Sequence, residues 1–480
     1  MAPPTTVCLS KGAGSLGSKV LLGKELWVVA ALGAFAAARL SPTLDGLTPV
    51  GQAVLGAAAA GTILWVTEAL PLGLTALLVT ALLGLCPGLR LPDVASGFAG
   101  EVTFFLIGAV GLGAAVESSG LAARAARFLS RSARNSPTRL YVQMIAGFPI
   151  LALLMPSAIT RNAVLIPAYR DALDAMGIAG QRRTGRAVML ALGILNPLAS
   201  SALLTGGTTS ITAATLLGGF SWLSWFVLMA VPYYALLCCG AVLVRILVGK
   251  FEPPNTHAAP PPVAAREPYS AAEKRTLMVL ALTACLWLTD RLHHLSPAVP
   301  ALLGATLLML PRVGVISWKG FESRLSWGLI LTVGTSLSLA ALMTTTGAAA
   351  WLGQLLVGRL SGLADGPVVL LIGLVVAVVL VHLAITNLAA CVALLLPINA
   401  TIAASAGLSP VVTGLATLIA IDAVILYPVQ TAANLMAYET GYFERGDVMK
   451  LGLGMLAATI MVIVLVLPYW AFVGFPLSAP

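Results

Sequence analysis

Long apolar runs recur along this chain, and they constrain its fold more than any other feature. A helix needs about 20 mostly apolar residues to cross a bilayer. Eleven runs fit that requirement, at residues 25–43, 49–66, 70–89, 102–120, 184–217, 221–248, 275–293, 297–312, 326–346, 409–438 and 449–474. Only 9% of the 480 residues are Asp, Glu, Lys or Arg, whereas soluble domains carry about 25%. The composition therefore excludes a soluble enzyme, a disordered chain and a nucleic-acid-binding domain, and predicts an all-α polytopic membrane protein.

The N-terminal residues 1–24 are predicted to be a cytoplasmic tail. They carry Lys11, Lys19 and Lys24 ahead of the first apolar run. This pattern predicts a retained transmembrane helix, and the alternative is a signal peptide cleaved near Ala34-Phe35-Ala36. The six cysteines have neither disulfide-framework nor metal-site spacing. We expect no metal and no cofactor.

Two further apolar stretches, 138–175 and 366–404, have a polar break at the centre. Pro156–Asn162 breaks the first, and Thr386-Asn387 breaks the second. Arginines flank the first stretch on both sides, and dense positive charge marks cytoplasmic ends. We therefore predict two re-entrant hairpins, an inner one at 138–175 that enters from the cytoplasm and an outer one at 366–404.

The distribution of positive charge predicts the orientation. With the N-terminus inside, 22 of the 27 Lys and Arg lie at cytoplasmic ends and Arg161 lies at membrane depth. The remaining four lie outside, at Arg39, Arg90, Arg291 and Arg359. The short tail 476–480 is then external, and the expected location is a bacterial inner (plasma) membrane.

The chain divides into two similar halves around a Pro-rich cytoplasmic linker at 251–273. Trp65-Val66-Thr67-Glu68 in the half at 25–250 is echoed by Trp287-Leu288-Thr289-Asp290 in the half at 274–475. In each half, scaffold spans precede the hairpin, and a broken span follows it at 184–217 or 409–438. Five crossings in the first half invert the second half in the membrane, which is a common design of secondary transporters.

The segment Trp65–Leu78, which reads WVTEALPLGLTALL, resembles the W-x-T-E-A-x-P-x-x-x-T-A-L-L signature of the divalent anion/sodium symporter family, the carriers of dicarboxylates, citrate and sulfate. Glu117-Ser118-Ser119-Gly120 and Pro428–Asn434 resemble further family segments in the expected order. The resemblance covers residues 25–475. It implies an elevator-type homodimer in which a mobile transport domain holds both hairpins and the broken spans.

The resemblance also implies a substrate site at the two hairpin tips, where the family has Ser-Asn-Thr. Hydroxyls, amides and free N–H groups at helix ends suit an anion. Here Ser157, Thr386 and Asn387 remain, and we predict that they line the site rather than merely break a helix. Thr160 and Asn162 are candidates that compensate for the altered first tip.

Three ionisable residues are candidates for coupling. Arg161 lies at membrane depth, where a charge is costly, so we predict an anion-binding role or a substitute for a sodium ion, with a structural ion pair as the alternative. His382 and Leu153 occupy the positions of sodium-ligating hydroxyls, which places both cation sites in doubt. Asp422 is a candidate proton carrier, or a structural partner of Arg161 or His382.

The broken spans supply the remaining candidates. Gly206, Gly207 and Thr208 are predicted to let the backbone approach the ligand, although glycine pairs also serve close helix packing. Pro428, Thr431 and Asn434 belong to the second broken span. Glu68 is interpreted as a structural hydrogen-bonding residue.

These features predict a secondary active transporter of small anions, such as di- or tricarboxylates, that works by exchange or proton coupling. The alternatives are a sodium-coupled dicarboxylate or sulfate symporter and, in another class, a passive anion channel. An enzyme is not expected, because the sequence has no catalytic or ATP-binding motif. The expected partners are a small organic or inorganic anion, sodium or protons, the lipid bilayer and a second copy of the chain, but no nucleic acid.

Overall fold

Helices joined by turns and short loops make up the architecture, which a computed structural model describes for residues 13–67, 69–132, 136–155, 157–178, 182–253, 268–325, 327–352, 355, 366–383 and 388–478. The β-type pairing in this described part of the chain is an isolated bridge between Leu408 and Ser478. The helical class predicted from the apolar runs is confirmed.

Residues up to Val248 form twelve described α-helices. They are α1 (Ala13–Leu40), α2 (Pro49–Thr67), α3 (Leu72–Gly84), α4 (Leu91–Val94), α5 (Glu101–Ser118), α6 (Leu121–Ser132), α7 (Pro137–Leu154), α8 (Ala158–Ala175), α9 (Arg183–Leu190), α10 (Asn196–Ser201), α11 (Thr208–Leu216) and α12 (Trp222–Val248).

Ten further helices are described after the linker. They are α13 (Ala271–Leu288), α14 (Asp290–His293), α15 (Ala298–Leu307), α16 (Trp318–Glu322), α17 (Trp327–Thr345), α18 (Pro367–His382), α19 (Leu388–Ser405), α20 (Pro410–Ala423), α21 (Ala432–Tyr438) and α22 (Arg445–Phe472). Most of the Pro-rich linker, at 254–267, lies outside the described residues.

The helices α7 and α8 meet at a break, where α7 ends at Leu154 and α8 starts at Ala158. Ser157 is the N-cap of α8, and its hydroxyl accepts the Thr160 N–H at 3.2 Å. A serine in this position satisfies one of the N–H groups that a helix start leaves without an intrahelical partner. The described part of the polar break, residues 157–162, is therefore a helix start in the middle of an apolar stretch.

The run predicted as a broken span at 184–217 contains three interruptions. Pro197 lacks an N–H, and a proline ring in a helix interior also clashes with the carbonyl four residues earlier. A π-helical turn at Ala191–Leu195 precedes it, in which the Asn196 N–H reaches back to the Ala191 carbonyl. A 3₁₀ turn at Leu204–Gly206 and the extended Gly207 then separate α10 from α11.

The second broken run has the same character. The helix α20 ends at Ala423, and a 3₁₀ turn at Pro428–Gln430 leads into the short helix α21. Thr431 is the N-cap of α21, and its hydroxyl accepts the Asn434 N–H at 3.1 Å. Both broken runs therefore contain helix ends that lie among the packed helices.

Two main hydrophobic clusters hold the described helices together. One joins α1, α2 and α3 to the C-terminal half of α17, with Phe35, Leu64 and Leu342 among its members. The larger one extends from α5 through the interrupted helices to α22. The interrupted helices pack within the second cluster, which fixes their ends relative to one another.

Five described helical segments are long and apolar enough to cross a membrane by length and composition. They are Ser96–Ser118, Pro137–Leu154, Trp222–Val248, Trp327–Thr345 and Arg445–Phe472. Six further apolar helices are shorter, including α3, α18 and α20. Because several predicted spans consist of such shorter pieces, the number of eleven spans stays a prediction.

Candidate functional site

A cavity of about 650 Å³ lies where the interrupted helices meet. One side is formed by the start of α8, the loop before α11, the turn before α21 and the first residue of α19. Further described lining comes from α5, from Phe105 to Glu117, from the start of α17, and from Leu72 and Arg324. The part formed by the broken helices is the polar wall, and α5 contributes mostly apolar side chains.

Three helices of at least nine residues begin at this wall: α8 at Ala158, α11 at Thr208 and α19 at Leu388. The first N–H groups of a helix have no intrahelical acceptor, and the helix dipole makes this end partially positive. Three such ends supply hydrogen-bond donors and positive potential without a basic side chain. This arrangement is suited to an anion.

Hydroxyl groups dominate the side chains of the polar wall. The hydroxyl-bearing residues that line the cavity are Ser157, Thr160, Ser200, Ser201, Thr205, Thr208, Thr209 and Thr431. The charged residues among the described lining are Asp422, Glu117 and Arg324. Arg324 and Glu117 neutralise each other through an ion pair of 3.2 Å. Among the described lining residues, Asp422 is therefore the charged group that no ion pair compensates.

The glycine pair of the first broken run has two distinct environments. A Cβ atom at Gly206 would lie 1.7 Å from the Ser200 carbonyl oxygen, so only glycine fits there. A Cβ at Gly207 would meet only the Thr209 hydroxyl, at 3.8 Å. Gly206, Gly207 and Thr208 all line the cavity. Gly206 serves close backbone packing as well.

Arg161 is fully buried beside the cavity and is not among its lining residues. Its guanidinium donates to the Asn196 side-chain oxygen at 2.7 Å, to the Asn196 carbonyl at 2.9 Å and to the Met155 carbonyl at 2.5 Å. Three oxygen atoms, one from the residue that follows α7 and two from the broken run, therefore surround this cation. In this conformation it ties the two elements together.

Asn162 extends the same network to the second half of the chain. Its amide donates to the Leu192 carbonyl at 3.0 Å and to the Ala433 carbonyl at 2.9 Å. Its own oxygen accepts from the Asn196 amide at 2.7 Å. Asn162 is buried and does not line the cavity, but it fixes the position of Ala433, which does.

Asp422 is buried, with 7% of its surface exposed, and it faces the cavity from the end of α20. Its carboxyl oxygen accepts from the Tyr233 hydroxyl at 2.8 Å and from the Thr209 hydroxyl at 3.3 Å. This acid is therefore held by hydroxyl groups from two different helices, α12 and α11.

The structure brings together most of the described candidates. Ser157, Thr160 and Thr431 line the cavity together with Asp422 and the Gly206–Thr208 loop. Other candidates are buried close to the broken elements but do not line it: His382 in the last turn of α18, Pro428, and Asn434, whose amide donates to the Tyr427 carbonyl at 3.4 Å. Thr386, Asn387 and Glu68 lie outside the described residues.

Sequence reasoning missed four features of this site. For Ser200 and Ser201, the sequence offers only their position in a long apolar run as an indication. For Asn196-Pro197, it offers only the capacity of proline to interrupt a helix. Tyr233 lies in an ordinary apolar helix, and its contact with Asp422 spans 189 positions of sequence. Arg324 lies in a loop far from both hairpins, so no local pattern marks it as a cavity residue.

Comparisons with known proteins identify the family of this chain. The family described as the sodium:sulfate symporter transmembrane region matches residues 23–475. A protein of Cupriavidus necator described as a membrane protein is 26% identical over 465 residues, or 90% of each chain. The sodium-dependent dicarboxylate transporter SdcS of Staphylococcus saprophyticus is 23% identical over 461 residues, which cover 88% of this chain and 86% of that one.

A solved structure also shares the fold. The YdaH transporter of Alcanivorax borkumensis superimposes with a TM-score of 0.53 at 19% identity, covering 87% of this chain and all of the other. At this level of identity the similarity supports the fold alone.

Proposed function

This chain belongs to the family of the sodium:sulfate symporter transmembrane region, which is a membrane transporter family, and we propose from this premise that it is a secondary active carrier of small anions. The proposed substrates are di- or tricarboxylates. The observation that carries the proposal is the meeting of the N-termini of α8, α11 and α19 at one cavity. Its volume of about 650 Å³ is in the ordinary range for small-molecule sites.

We propose that transport occurs by exchange or proton coupling, with degenerate sodium sites. The family resemblance implies a hydroxyl ligand for sodium at Leu153, but the leucine side chain has no oxygen. The imidazole of His382 is a poor ligand for a hard cation. The guanidinium of Arg161 contacts three oxygen atoms inside the protein. A positive charge that is part of a side chain supports folding of the site without a bound sodium ion.

A sodium-coupled dicarboxylate or sulfate symporter is the second candidate. The observation that favours it is the relative SdcS, which is described as a sodium-dependent dicarboxylate transporter. A passive anion channel is the candidate of another class, and flux that does not saturate with anion concentration would support it.

The proposed architecture is an inverted repeat that works as an elevator-type homodimer. Residues 25–250 and 274–475 are the proposed repeats, and the inner and outer hairpins move with the broken spans. The N-terminus is placed in the cytoplasm and the protein in a bacterial inner membrane. The charge distribution along the sequence and the family membership support this arrangement.

Counterflow in proteoliposomes tests the function. Vesicles are preloaded with unlabelled succinate, and uptake of labelled succinate is followed with and without a sodium gradient. The proposal expects saturable uptake that requires internal anion and not sodium. Sodium-dependent uptake into empty vesicles would favour the symporter instead. If succinate is inactive, citrate, malate and sulfate are tested in the same format, and failure of all four contradicts an anion carrier of this class.

A further inference from the structure

The carboxyl group of Asp422 faces the same cavity that is proposed to hold the anion. We infer that Asp422 is the proton-binding group of this carrier and that it takes up one proton each time an anion occupies the cavity. The inference rests on the proposed function and names the coupling partner of the same site.

The charges at the cavity wall favour a proton on Asp422 when an anion is bound. Among the described lining residues, Arg324 and Glu117 form an ion pair with each other, which leaves Asp422 as a net negative charge. Like charges repel strongly where water is scarce, so an ionised Asp422 opposes the binding of a carboxylate substrate. A proton on Asp422 removes this repulsion. Anion binding and proton binding are therefore linked, each favouring the other.

The hydrogen bonds at Asp422 suit a group that changes between two charge states. Tyr233 and Thr209 donate their hydroxyl protons to one carboxyl oxygen, which stabilises the ionised form when the cavity is empty. A hydroxyl group also accepts hydrogen bonds, so the Thr209 hydroxyl can accept from the protonated, neutral acid. Both states of Asp422 therefore have partners without any change of fold.

The other ionisable groups around Asp422 do not supply a compensating cation in the described contacts. Tyr233 on α12 is neutral and bonded to Asp422 itself. The elements packed near α20 contribute Cys391 on α19 and His382 on α18, together with further groups on α12 and α22. Those on α12 are Tyr234, Cys238, Cys239 and Arg245, and those on α22 are Arg445, Asp447, Lys450 and Tyr469. Arg445 and Lys450 are exposed, and the Arg245 guanidinium lies over the Phe251 ring. Asp447 is paired with Arg186, and Arg161 is directed to the Asn196 and Met155 oxygens.

A proton fits this site better than a sodium ion. Sodium, like other hard cations, requires several oxygen ligands at once. The carbonyl of Ser201, which also lines the cavity, already accepts from Ser210 at 3.2 Å and from the Trp225 indole at 3.3 Å. Protonation needs no further ligand, because the proton joins a carboxyl oxygen directly. Sodium binding at Asp422 is an outcome that the experiment below distinguishes.

Proton uptake on anion binding tests the inference. Purified protein in weakly buffered detergent solution receives succinate at a series of pH values from 6 to 9, and a pH indicator reports released or absorbed protons. The expected result is net uptake that approaches one proton per anion bound in part of this range, with no sodium requirement. The variant Asp422→Asn, which carries a neutral side chain of the same shape, is expected to bind succinate without proton uptake.

Asp290→Asn is the matched control, because Asp290 is also buried but accepts from the Trp222 N–H outside the cavity lining. It is expected to take up protons like the unmodified protein. If Asp422→Asn does not fold, Tyr233→Phe replaces it. Loss of that donor disfavours the ionised acid, so proton uptake should extend to higher pH.

Three results would overturn the inference. Anion binding by the unmodified protein without proton uptake at any pH excludes the link, and so does equal uptake by Asp422→Asn. Sodium uptake at Asp422 in place of a proton excludes it as well. Failure of the proposed function is distinguishable, because then no tested anion binds. In that case infrared spectroscopy still decides whether Asp422 titrates, through a protonated-carboxyl band that is absent from Asp422→Asn.

Discussion

Arg161 and Asn196 are joined by two hydrogen bonds, one to the side-chain oxygen at 2.7 Å and one to the backbone carbonyl at 2.9 Å. Arg161 belongs to α8, and Asn196 follows the π-helical turn of the first broken run. This double contact links the hairpin to the segment that carries Ser200 and Ser201. The position of the cavity wall therefore depends on a guanidinium that does not line the cavity.

Replacement of Arg161 by Lys tests this role. Lysine keeps the positive charge but lacks the planar fork that reaches both Asn196 oxygens. Hydrogen bonds to charged groups contribute about 1.5–3 kcal/mol each, so we expect a clear decrease in the melting temperature and in transport. Arg170→Lys, at an exposed position on the same helix, is the control and should leave both unchanged. Equal behaviour of the two variants would contradict the role.

Ser157 is expected to act both as a helix cap and as a cavity residue. Ser157→Ala should cost about 1 kcal/mol of stability through the lost cap and should also raise the half-saturation concentration of succinate severalfold. Ser136→Ala is the matched control, since Ser136 caps α7 at 3.4 Å and does not line the cavity. It should have the stability effect alone, as measured by melting temperature and by counterflow. A similar half-saturation concentration for both variants would show that Ser157 is only a cap.

The adjacent glycines allow a test of backbone packing. Gly206→Ala places a Cβ against the Ser200 carbonyl, so the loop must shift. Overpacking of this kind costs about 1–3 kcal/mol, and we expect reduced stability together with weak transport. Gly207→Ala makes only an ordinary contact with the Thr209 hydroxyl, at 3.8 Å, and has an extended backbone that alanine adopts readily. Thermal unfolding of the two variants gives the comparison, and a stable, active Gly206→Ala would refute the packing found here.

The ion pair between Arg124 and Glu273 lies outside the cavity lining, and it predicts that the stability of the protein depends on pH. The Arg124 guanidinium, which donates at 2.6 Å, holds the pKa of Glu273 below its usual value. The stabilisation is therefore present above the ordinary glutamate pKa of about 4.3 and is lost as the pH falls through the lowered value. Glu273→Gln should melt at a lower temperature near pH 7, and the difference should shrink in acid.

Glu322→Gln is the control for that prediction, because Glu322 is exposed on α16. Its melting curve should match the unmodified protein throughout the pH range. A Glu273→Gln deficit that stays constant down to acid pH would show that the charge of Glu273 is not the source of the stabilisation.

The class of fold was predictable because apolar runs and helix breaks are local properties of sequence. Ser157 starts a helix and Gly206 permits a close backbone approach, and both features can be read from a few neighbouring residues. Ser157, Thr160 and Thr431 line one cavity in the structure. The roles of these residues in substrate binding stay predictions.

Contacts between distant segments were not predictable from a single sequence. Arg161 was expected at the anion, but its guanidinium is directed to oxygens of Asn196 and Met155, because the π-helical turn before Pro197 brings them within reach. The bond from Tyr233 to Asp422 likewise depends on how α12 packs beside α20. No periodicity or motif in the sequence indicates contacts of this kind between distant segments.

Protection of an introduced thiol tests the central claim, that the anion binds where the N-termini of α8, α11 and α19 meet. Ile159→Cys places a thiol at the cavity wall, and Thr43→Cys places one in an exposed loop away from it. Labelling by a methanethiosulfonate reagent is followed with increasing succinate, after subtraction of the rate of the native cysteines. The account predicts saturable protection of Ile159→Cys and none of Thr43→Cys. Saturable counterflow of succinate without protection of Ile159→Cys would place the anion elsewhere and contradict the account.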